Sequence, residues 1–434
     1  MRTVPEKLAR PQYDLKSGDV LVCTTNSAEL VGKCAFFDLT ERYVFSNHLT
    51  RLRTEPGEFD GRYLRWYLWL QWRTGIFDDK CKHWVNQSTI PKDALVETEV
   101  AVAPLAEQRR IACKVEALLA KARSSQDRLD KIPIILKRFR QAVLAAACSG
   151  RLTADWRTQT RAEALCAPAL VNRREKVVVE ELFETPDYWR WVPLNSLFDS
   201  RRSICYGVIK LGAEEPDGVP CLRTSDVKPL RIDTVSVKRI APAISDEYRR
   251  TLLQGDEILV NVRGTLGGVA VVPPSLKGWN ISREVPVVPI AGVLTQFVAF
   301  WIASLPCQNW LSGVAKGVAY TGINIEDLKQ LPVAIPSLAE QEEIVRRALA
   351  LFAVADKIEA RHAKAKAQVD RLTQSVLAKA FRGELVPTEA ELARREGRSY
   401  ETAEELLARI KDEQAKPVAV RRGSQNGARR YARR

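Results

Sequence analysis

The sequence predicts an α+β protein in which two mixed α/β globules are joined by two long helices, which form an antiparallel coiled coil with a pseudo-twofold internal repeat. Three observations lead to this prediction. The chain matches itself at a shift of 233 positions, each copy holds a long stretch with heptad-spaced apolar residues, and short runs typical of strands precede each stretch. The 434 residues, 46% of them hydrophobic, suffice for two or three globular units with their own cores.

The repeat is clearest in the two stretches predicted to be helical. LAEQ at 105–108 is superimposed on LAEQ at 338–341, and apolar residues then recur at alternating spacings of four and three. This average period of 3.5 is typical of a coiled-coil seam. Helices over roughly 105–147 and 338–381 would each be ~65 Å long, too long for one small domain, so the natural partner of each helix is the other copy. Pro133 is expected to kink the first helix.

The residues predicted to form the seam are the apolar and glutamine positions of this period. They are Leu105, Gln108, Ile111, Leu118 and Phe139 in the first helix, and Leu338, Gln341, Ile344, Leu351 and Leu372 in the second. His362 also falls on the seam, where a register-setting role is favoured over ligand binding.

The segments before the helices repeat more loosely. A turn and a short β run at 15–22 correspond to 253–260, and an aromatic helix at 61–72 corresponds to 295–306. About 67 residues precede Gly255 when counted from Trp189, but only 17 precede Gly18. The sequence therefore leads us to expect that about 50 residues of the first globule are absent.

Charge and cysteine usage restrict the class of partner. A net charge of +14 and a pI near 9.4 favour a polyanion, although six of these charges belong to arginines in 417–434 and a basic surface without a ligand would have the same composition. The nine cysteines are scattered, which argues against a zinc site. No run of 18 apolar residues occurs, so we expect no membrane span and a cytoplasmic location.

Several segments carry a resemblance to a known family. PLAEQRRIACKVEALLAKA (104–122) and ILKRFRQAVLAAACSGRLTADWR (135–157) are similar to the first conserved helical region of the specificity subunits of type I restriction-modification systems. PSLAEQEEIVRRA (336–348), SVLAKAFRGELVP (375–387) and LARREGRSYETAEELLARI (392–410) resemble the second region and its tail. VPCLRTSD (219–226) resembles an element near the start of a target-recognition domain, and VNQS (85–88) and AYTGIN (319–324) resemble the loop before its last strand.

The resemblance implies a DNA-reading subunit that is not itself an enzyme. Its two recognition domains would bind the two halves of an asymmetric, bipartite site in double-stranded DNA. The helices would space these domains and dock two methyltransferase subunits, with restriction (motor) subunits joining the assembly. This chain would bind no cofactor, and S-adenosylmethionine, ATP and Mg²⁺ are expected on the partner subunits.

The resemblance and the repeat together predict the domain boundaries. They are 1–104 for the first recognition domain, 105–152 for the first helical region, 153–187 for a linker, 188–336 for the second recognition domain, 337–386 for the second helical region, 387–416 for a helical tail and 417–434 for a disordered basic tail.

A search for catalytic motifs favours the non-enzymatic reading. VPPS at 272–275 lacks the flanking residues of a base-gripping methyltransferase motif, and GKC at 32–34 lacks the first glycine and the hydroxyl of a phosphate-binding loop. Asp217, Asp226 and Lys228 match a nuclease-like PD…DxK pattern. A pattern of so few residues often occurs by chance. We interpret Asp226 instead as a turn or base-contact residue.

The candidate DNA contacts are side chains able to bond base edges and phosphates. In the second globule they are Arg201, Arg202, Tyr206, Lys210, Arg223, Thr224, Ser225, Asp226, Arg263, Lys316, Tyr320 and Thr321, and in the first they are Lys80, Lys82, His83, Asn86, Gln87 and Ser88.

Two alternatives stay open at this point. The chain could be a coiled-coil assembly adaptor whose globules bind protein instead of DNA, or, with less support, a nuclease. The stripe Trp66, Trp69 and Trp72 could stack nucleic-acid bases, but its helical spacing favours a core or interface face.

Overall fold

A computed structural model of the chain describes residues 10–55, 57–84, 87–160, 182–263, 267–314 and 322–415. The chain divides into two compact units, one of residues 1–130 and 362–434 and one of residues 131–361. The units cut across both predicted helical regions, so the domain boundaries given above remain a prediction.

The secondary structure mixes short strands with helices of very different length. The strands are β1 (Val20–Cys23), β2 (Thr25–Asn26), β3 (Cys34–Phe36), β4 (Leu49–Leu52), β5 (Lys82–Trp84), β6 (Gln87–Thr89), β7 (Arg190–Pro193), β8 (Val219–Leu222), β9 (Val227–Lys228), β10 (Arg231–Ile232), β11 (Arg239–Ile240), β12 (Ile258–Val260), β13 (Val269–Val271), β14 (Asn280–Ile281), β15 (Val287–Val288) and β16 (Pro332–Ile335). The helices are α1 (Gly61–Arg73), α2 (Lys92–Val96), α3 (Leu105–Leu129), α4 (Ile132–Cys148), α5 (Ala154–Gln159), α6 (Pro242–Glu247), α7 (Thr295–Ala303), α8 (Leu305–Val314), α9 (Ile325–Lys329), α10 (Leu338–Phe381), α11 (Glu389–Glu396) and α12 (Ala403–Ala415).

The globule of the first unit contains two small antiparallel sheets, ordered β3-β1-β4 and β2-β6-β5. In β1 the fully buried Val20 and Val22 alternate with half-buried residues, as expected of a strand with one face on a core. Helix α1 packs on β1 and β3. It begins at Asp60, whose carboxylate accepts hydrogen bonds from the amides of Arg62 and Tyr63 at 2.9 and 3.1 Å and so satisfies two otherwise free donors of the first turn.

Two helical segments of the first unit share a core with α1. Ile111, Ala112 and Val115 of α3 lie in one buried cluster with Tyr63 and Trp66 of α1, and with residues from the end of α10. The α10 members of this cluster are Val376, Leu377 and Ala380. This burial removes one face of α3 from water, and it stabilises the helix more than its intrinsic propensity does.

The chain after α10 returns to the globule of the first unit. Glu389 at the start of α11 pairs with Arg110 of α3 at 2.5 Å, and Arg409 of α12 donates to the Gly57 carbonyl at 3.1 Å. Reciprocal capping boxes begin both tail helices, Thr388 with Glu391 and Thr402 with Glu405.

The second unit has a larger, mostly apolar core. Its sheets are β13-β12-β15, β11-β8-β14, β16-β7 and β10-β9, all antiparallel except for the parallel pair β8–β14. Helix α7 is buried along almost its whole length, and its Trp301 donates to the Pro332 carbonyl of β16 at 2.8 Å. The same core includes α4 and the first part of α10, which contributes Ile344 and Ala348.

The long helices agree with prediction in one copy and differ in the other. Helix α10 spans the predicted residues 338–381. The first predicted helix is instead two helices, α3 and α4, which are separated at Asp130 and Lys131. Pro133 lies in the first turn of α4, where its missing N–H leaves no backbone bond unmade. The interruption lies just before the proline, so the single kinked helix that we expected is divided into two helices, with Asp130 and Lys131 between them in the right-handed helical region.

Among the described residues, none of the helices combines the length and the apolarity needed to cross a membrane.

Candidate nucleic-acid interface

A buried carboxylate marks the turn before the central strand in each globule. Asp19 before β1 receives two hydrogen bonds from Arg53, at 2.6 and 2.7 Å, and Glu257 before β12 pairs with Arg202 at 2.5 Å. Burial alone would raise the pKa of Asp19, but Arg53 and the Lys16 amide outweigh it and lower that pKa. Arg202 is thus part of the scaffold, and its predicted DNA contact conflicts with this pairing.

The best-defined candidate loop joins β8 to β9. Asp226 is 6% exposed, and its carboxylate accepts hydrogen bonds from the Arg223 amide at 2.8 Å, the Arg223 Nε at 3.2 Å and the Ser225 Oγ at 2.9 Å. Asn261 donates to the carbonyls of Thr224 and Val227 at 3.0 and 3.1 Å. The loop is therefore closed by its own acid and by a buried amide. Asp226 acts as its turn residue, which is one of the two predicted roles.

This closure decides which side chains the loop presents. Ser225 is exposed and Thr224 is half-buried, whereas Arg223 also donates to the Ser236 carbonyl at 3.0 Å. Arg223 therefore needs to exchange these partners before it can contact a base.

The other candidates of the second globule are spread over several segments. Arg201 is 86% exposed and pairs with Asp199, Lys210 is exposed, and the Tyr206 hydroxyl accepts from the Ile325 amide at 3.3 Å. Arg263 forms a β-bridge with Gly322. Three further candidates lie outside the described residues, namely Lys316, Tyr320 and Thr321.

In the first globule the candidates lie on the hairpin β5–β6. His83 and Ser88 are paired residues of the hairpin, and the His83 Nδ1 lies 2.9 Å from the Ser88 Oγ. Ser88 is only 3% exposed, so it supports the hairpin, while Lys82 and Gln87 are exposed. Lys80 donates to Thr98 at 3.4 Å, and Asn86 lies outside the described residues.

The two predicted seam glutamines contact their own globules. Gln108, fully buried, accepts from the Asp60 amide at 3.0 Å and donates to the Ala103 carbonyl at 2.8 Å. Gln341, also fully buried, accepts from the Leu294 amide at 2.8 Å and donates to the Pro336 carbonyl at 3.0 Å. Each glutamine thus clamps its long helix to the start of the aromatic helix and to the segment before itself. The heptad pattern could not reveal this role, but the identical LAEQ motifs could have suggested a shared one.

Beside Gln341 lies a glutamate that also fixes α10 to its globule. Glu340 is fully buried, and its carboxylate accepts from Thr153 and Arg157 at 2.8 Å, from Tyr188 at 3.0 Å and from Trp189 at 3.2 Å. Burial, followed by the adjacent Glu340 carboxylate, raises the pKa of Tyr188 to about 12. Glu340 therefore joins α10 to the segment after α4 and to the segment before β7.

The remaining predicted seam residues differ in burial. Ile111 and Ile344 are buried in their units, and Leu118, Phe139 and Leu351 are partly buried against the same clusters. Leu105 is half-buried. The last two, Leu338 and Leu372, are 46% and 54% exposed and do not line a helix contact within either unit. A seam role is therefore not supported for these two leucines, and docking of a partner subunit stays the prediction for them.

The nuclease-like pattern does not assemble into a metal-binding group. Asp226 is occupied by Arg223 and Ser225, and no set of three or more metal-ligating side chains is found in the described ranges. Burial raises the pKa of Cys34 and of Cys307 to about 12, so neither thiol supplies a thiolate nucleophile near neutral pH.

The fold corresponds to that of a type I restriction-modification chain. A solved structure described as "Structural basis underlying complex assembly and conformational transition of the type I R-M system" matches with a TM-score of 0.62 and 19% identity, covering 86% of this chain and 83% of that one. Residues 189–368 match the family model of the type I restriction modification DNA specificity domain.

Named proteins with similar sequences belong to the same family as the matched domain. The EcoBI specificity subunit of Escherichia coli is 38% identical over 295 residues, which is 67% of this chain and 59% of that subunit. The EcoKI specificity subunit of Escherichia coli strain K12 is 30% identical over 391 residues, which is 88% of this chain and 78% of that one. The chain belongs to the family of type I restriction enzyme specificity subunits. Its match spans less than two thirds of the EcoBI and EcoDI subunits, at 59% and 65% of their lengths.

Proposed function

We propose that this chain is the DNA-specificity subunit of a type I restriction-modification complex. It binds the two halves of an asymmetric bipartite site, one with each globule, and performs no catalysis itself. The observation that carries this proposal is the match of residues 189–368 to the DNA specificity domain, because this range includes the closed loop at 223–226. A loop fixed by Asp226 and Asn261 offers its tip as a pre-ordered surface, which reduces the entropy cost of binding.

The DNA-contacting residues are a proposal within this function. In the second globule the exposed or half-buried side chains of the loop and its neighbours are favoured, namely Arg201, Lys210, Thr224 and Ser225. In the first globule we favour Lys82 and Gln87 at the exposed positions of the β5–β6 hairpin.

The long helices are proposed to form an antiparallel coiled coil that spaces the globules. Contacts within each unit support this arrangement. In the first unit Lys366 lies 3.7 Å from Asp130, whereas the later residue Val376 shares a cluster with the earlier residue Val115. In the second unit Arg140 pairs with Asp356, whereas the later residue Arg157 pairs with the earlier residue Glu340. The two chain directions are therefore opposed in both units, as an antiparallel pair requires.

A pseudo-twofold repeat is the second structural part of the proposal. The matched clamps of Gln108 and Gln341 support it, as do the buried, arginine-paired carboxylates of Asp19 and Glu257, which lie at matched positions although their arginines do not. Equivalent polar contacts at equivalent positions are expected of two copies of one ancestral half.

The partners follow from this arrangement. We propose that double-stranded DNA binds the globules, that two methyltransferase subunits dock on the helices, and that restriction subunits join the complex. S-adenosylmethionine, ATP and Mg²⁺ would be held by those subunits, and we place the complex in the cytoplasm.

The test compares recognition with assembly. The double variant Thr224→Ala with Ser225→Ala should relax or weaken methylation at one half-site only, because it removes polar groups from a single loop. Methylome sequencing of a host carrying the whole system measures this. Co-purification of the methyltransferase subunits should not change, because the helices are untouched.

The matched control is Ser275→Ala, an exposed serine elsewhere in the second globule, which should leave methylation unchanged. Unaltered methylation at both half-sites in the double variant would remove the loop from the recognition surface. If the wild-type complex showed no salt-dependent affinity for random duplex, the chain would be an assembly adaptor instead, because phosphate contacts release counterions.

A further inference from the structure

A row of tryptophans and cations lies along α1 in the first unit. Trp66, Trp69 and Trp72 are in consecutive edge-to-face contact, with ring centres 6.0 and 5.9 Å apart. Trp66 is 9% exposed and belongs to the core, whereas Trp69 and Trp72 are half-buried. The core interpretation of this stripe is therefore correct for Trp66, and the other two leave part of their surface available.

Three cations stack on these rings. The Arg65 guanidinium carbon lies 3.4 Å from the centre of the Trp66 ring, and that of Arg73 lies 5.4 Å from Trp69. The Lys33 ammonium lies 5.9 Å from Trp72. A cation over an indole face is attracted to the ring and held in a restricted orientation, while its N–H groups stay free to bond another group.

Two of these cations, Arg73 and Lys33, have no carboxylate partner in the described part of the chain, and the third, Arg65, has Glu116 nearby without forming an ion pair with it. Arg65, Arg73 and Lys33 form no ion pair and no side-chain hydrogen bond there, whereas the neighbouring Arg62 pairs with Asp60 at 3.3 Å and with Glu116 at 3.7 Å. Arginines and lysines without an acidic neighbour attract an anionic ligand.

The Arg65 end of the row is more buried than the other end. Trp66 is 9% exposed, and its indole N–H is buried without an acceptor among the described residues. Burial lowers the pKa of Arg65, whereas the nearby Cys34 and Glu116 act in the opposite direction and Arg123 adds a smaller lowering effect. The exposed Arg73 and Lys33 are therefore the most accessible part of the row.

The other end of the row, at Lys33, is connected through Phe77 to the β5–β6 hairpin that carries the predicted DNA contacts of the first globule. Gly32, next to Lys33, packs so closely on Phe77 that an added Cβ would lie 2.7 Å from its ring. The Phe77 carbonyl accepts from the Cys81 thiol at 3.0 Å, and the exposed Lys82 follows directly. This continuity favours DNA over an acidic protein as the ligand.

We propose that Arg65, Arg73 and Lys33 form a binding site for DNA-backbone phosphates on the first globule, separate from the base-reading loops. The inference rests on the proposed DNA-specificity function. Positions 65 and 73 are ~12 Å apart along α1 at 1.5 Å per residue, a distance over which one DNA strand presents about three phosphates. The site adds affinity without regard to sequence, because phosphates are the same at every base pair.

The test measures the salt dependence of binding to a labelled random duplex of about 40 base pairs, using the full chain in complex with its methyltransferase subunits. Arg73→Gln and Lys33→Gln are the main variants, because both side chains are exposed and their loss should not affect folding. Each should lower the magnitude of the slope of log affinity against log salt by about 0.9, so that the loss between 50 and 200 mM salt becomes ~3.5-fold smaller. The ratio of specific to random affinity should not change.

Two further variants sharpen the test. Lys411→Gln on α12 removes the same charge from an exposed lysine of the same unit and should leave the slope unchanged. Arg65→Lys keeps the charge but loses the planar stacking and the two-pronged hydrogen bonding, so it should keep the slope and lower the affinity.

The results separate this inference from the proposed function. Wild-type slopes in both Arg73→Gln and Lys33→Gln would overturn the phosphate site while leaving the specificity function intact. Loss of methyltransferase co-purification with unchanged slopes would also overturn it, in favour of an acidic protein surface. Absence of salt-dependent DNA binding by the wild-type complex would overturn both proposals.

Discussion

Replacing Glu340 with glutamine should loosen the connection between α10 and the globule of the second unit. The wild-type carboxylate satisfies four donors in a fully buried position. A glutamine keeps the shape but directs an NH₂ group at donors, and it leaves Arg157, whose side chain is 18% exposed, without its negative partner. Breaking a buried pair costs ~3–5 kcal/mol. Because Arg157 keeps its hydrogen bond to the Gly150 carbonyl, we expect about 2–4 kcal/mol here.

Hydrogen exchange on the full chain measures this loss locally, which avoids assuming two-state unfolding of a chain with two units. Amides of β7 and of the end of α4 should exchange roughly 30- to 700-fold faster in Glu340→Gln. The control is Glu342→Gln, an exposed glutamate two residues further along the same helix, which should exchange like wild type. Equal exchange in the two variants would show that Glu340 does not hold the segments together.

Three more predictions follow from the same contacts. Leu377→Ala should destabilise the first unit by ~2–5 kcal/mol, because Leu377 is fully buried. Leu372→Ala, at a 54% exposed position of the same helix, should change stability by less than about 0.5 kcal/mol. Equal losses of thermal stability in the two variants would refute the burial argument. Hydrogen bonds from Arg346, and then from Arg347, hold the pKa of Glu343 at about 2, below its ordinary value of 4.5. The stabilising contribution of Glu343 is therefore complete above pH 4.5 and is lost as the pH falls toward 2. Glu343→Gln should make stability less dependent on pH in this range, and an unchanged dependence would contradict the assignment. Gln108→Ala should leave the half-buried Asp60 amide without its acceptor and cost about 1–3 kcal/mol, measured by denaturant unfolding, with no effect on hydrogen exchange in the second unit.

Much of the fold could be predicted from local patterns. The heptad period and the LAEQ start placed α10 at residues 338–381, because a helix of this length depends on its repeating apolar face. The same reasoning failed at Asp130, where the chain leaves the helix before Pro133. A proline is compatible with a kink inside a helix or with the first turn of a new one, and the local sequence does not distinguish these outcomes.

The candidate site was less predictable. Arg202 and Arg223 have the composition of DNA contacts, yet Arg202 pairs with Glu257, 55 residues further along the chain, and Arg223 is held by Asp226 and Ser236. A side chain's identity shows which bonds it can make, but the fold decides which acceptors come within reach. The buried Asn261, which fixes the loop, carried no recognisable signal for the same reason.

The sequence by itself determined the family, the repeat of motifs and the position of the long second helix, because these depend on residue order and on periodicity within one segment. Tertiary structure alone decided that Gln108 and Gln341 clamp their own globules, that Leu372 is exposed while Leu377 is buried, and that three cations lie over the tryptophans of α1 without forming an ion pair in the described residues. Each of these facts depends on which distant segment packs against a residue, and burial and pairing across such distances are set by the whole chain.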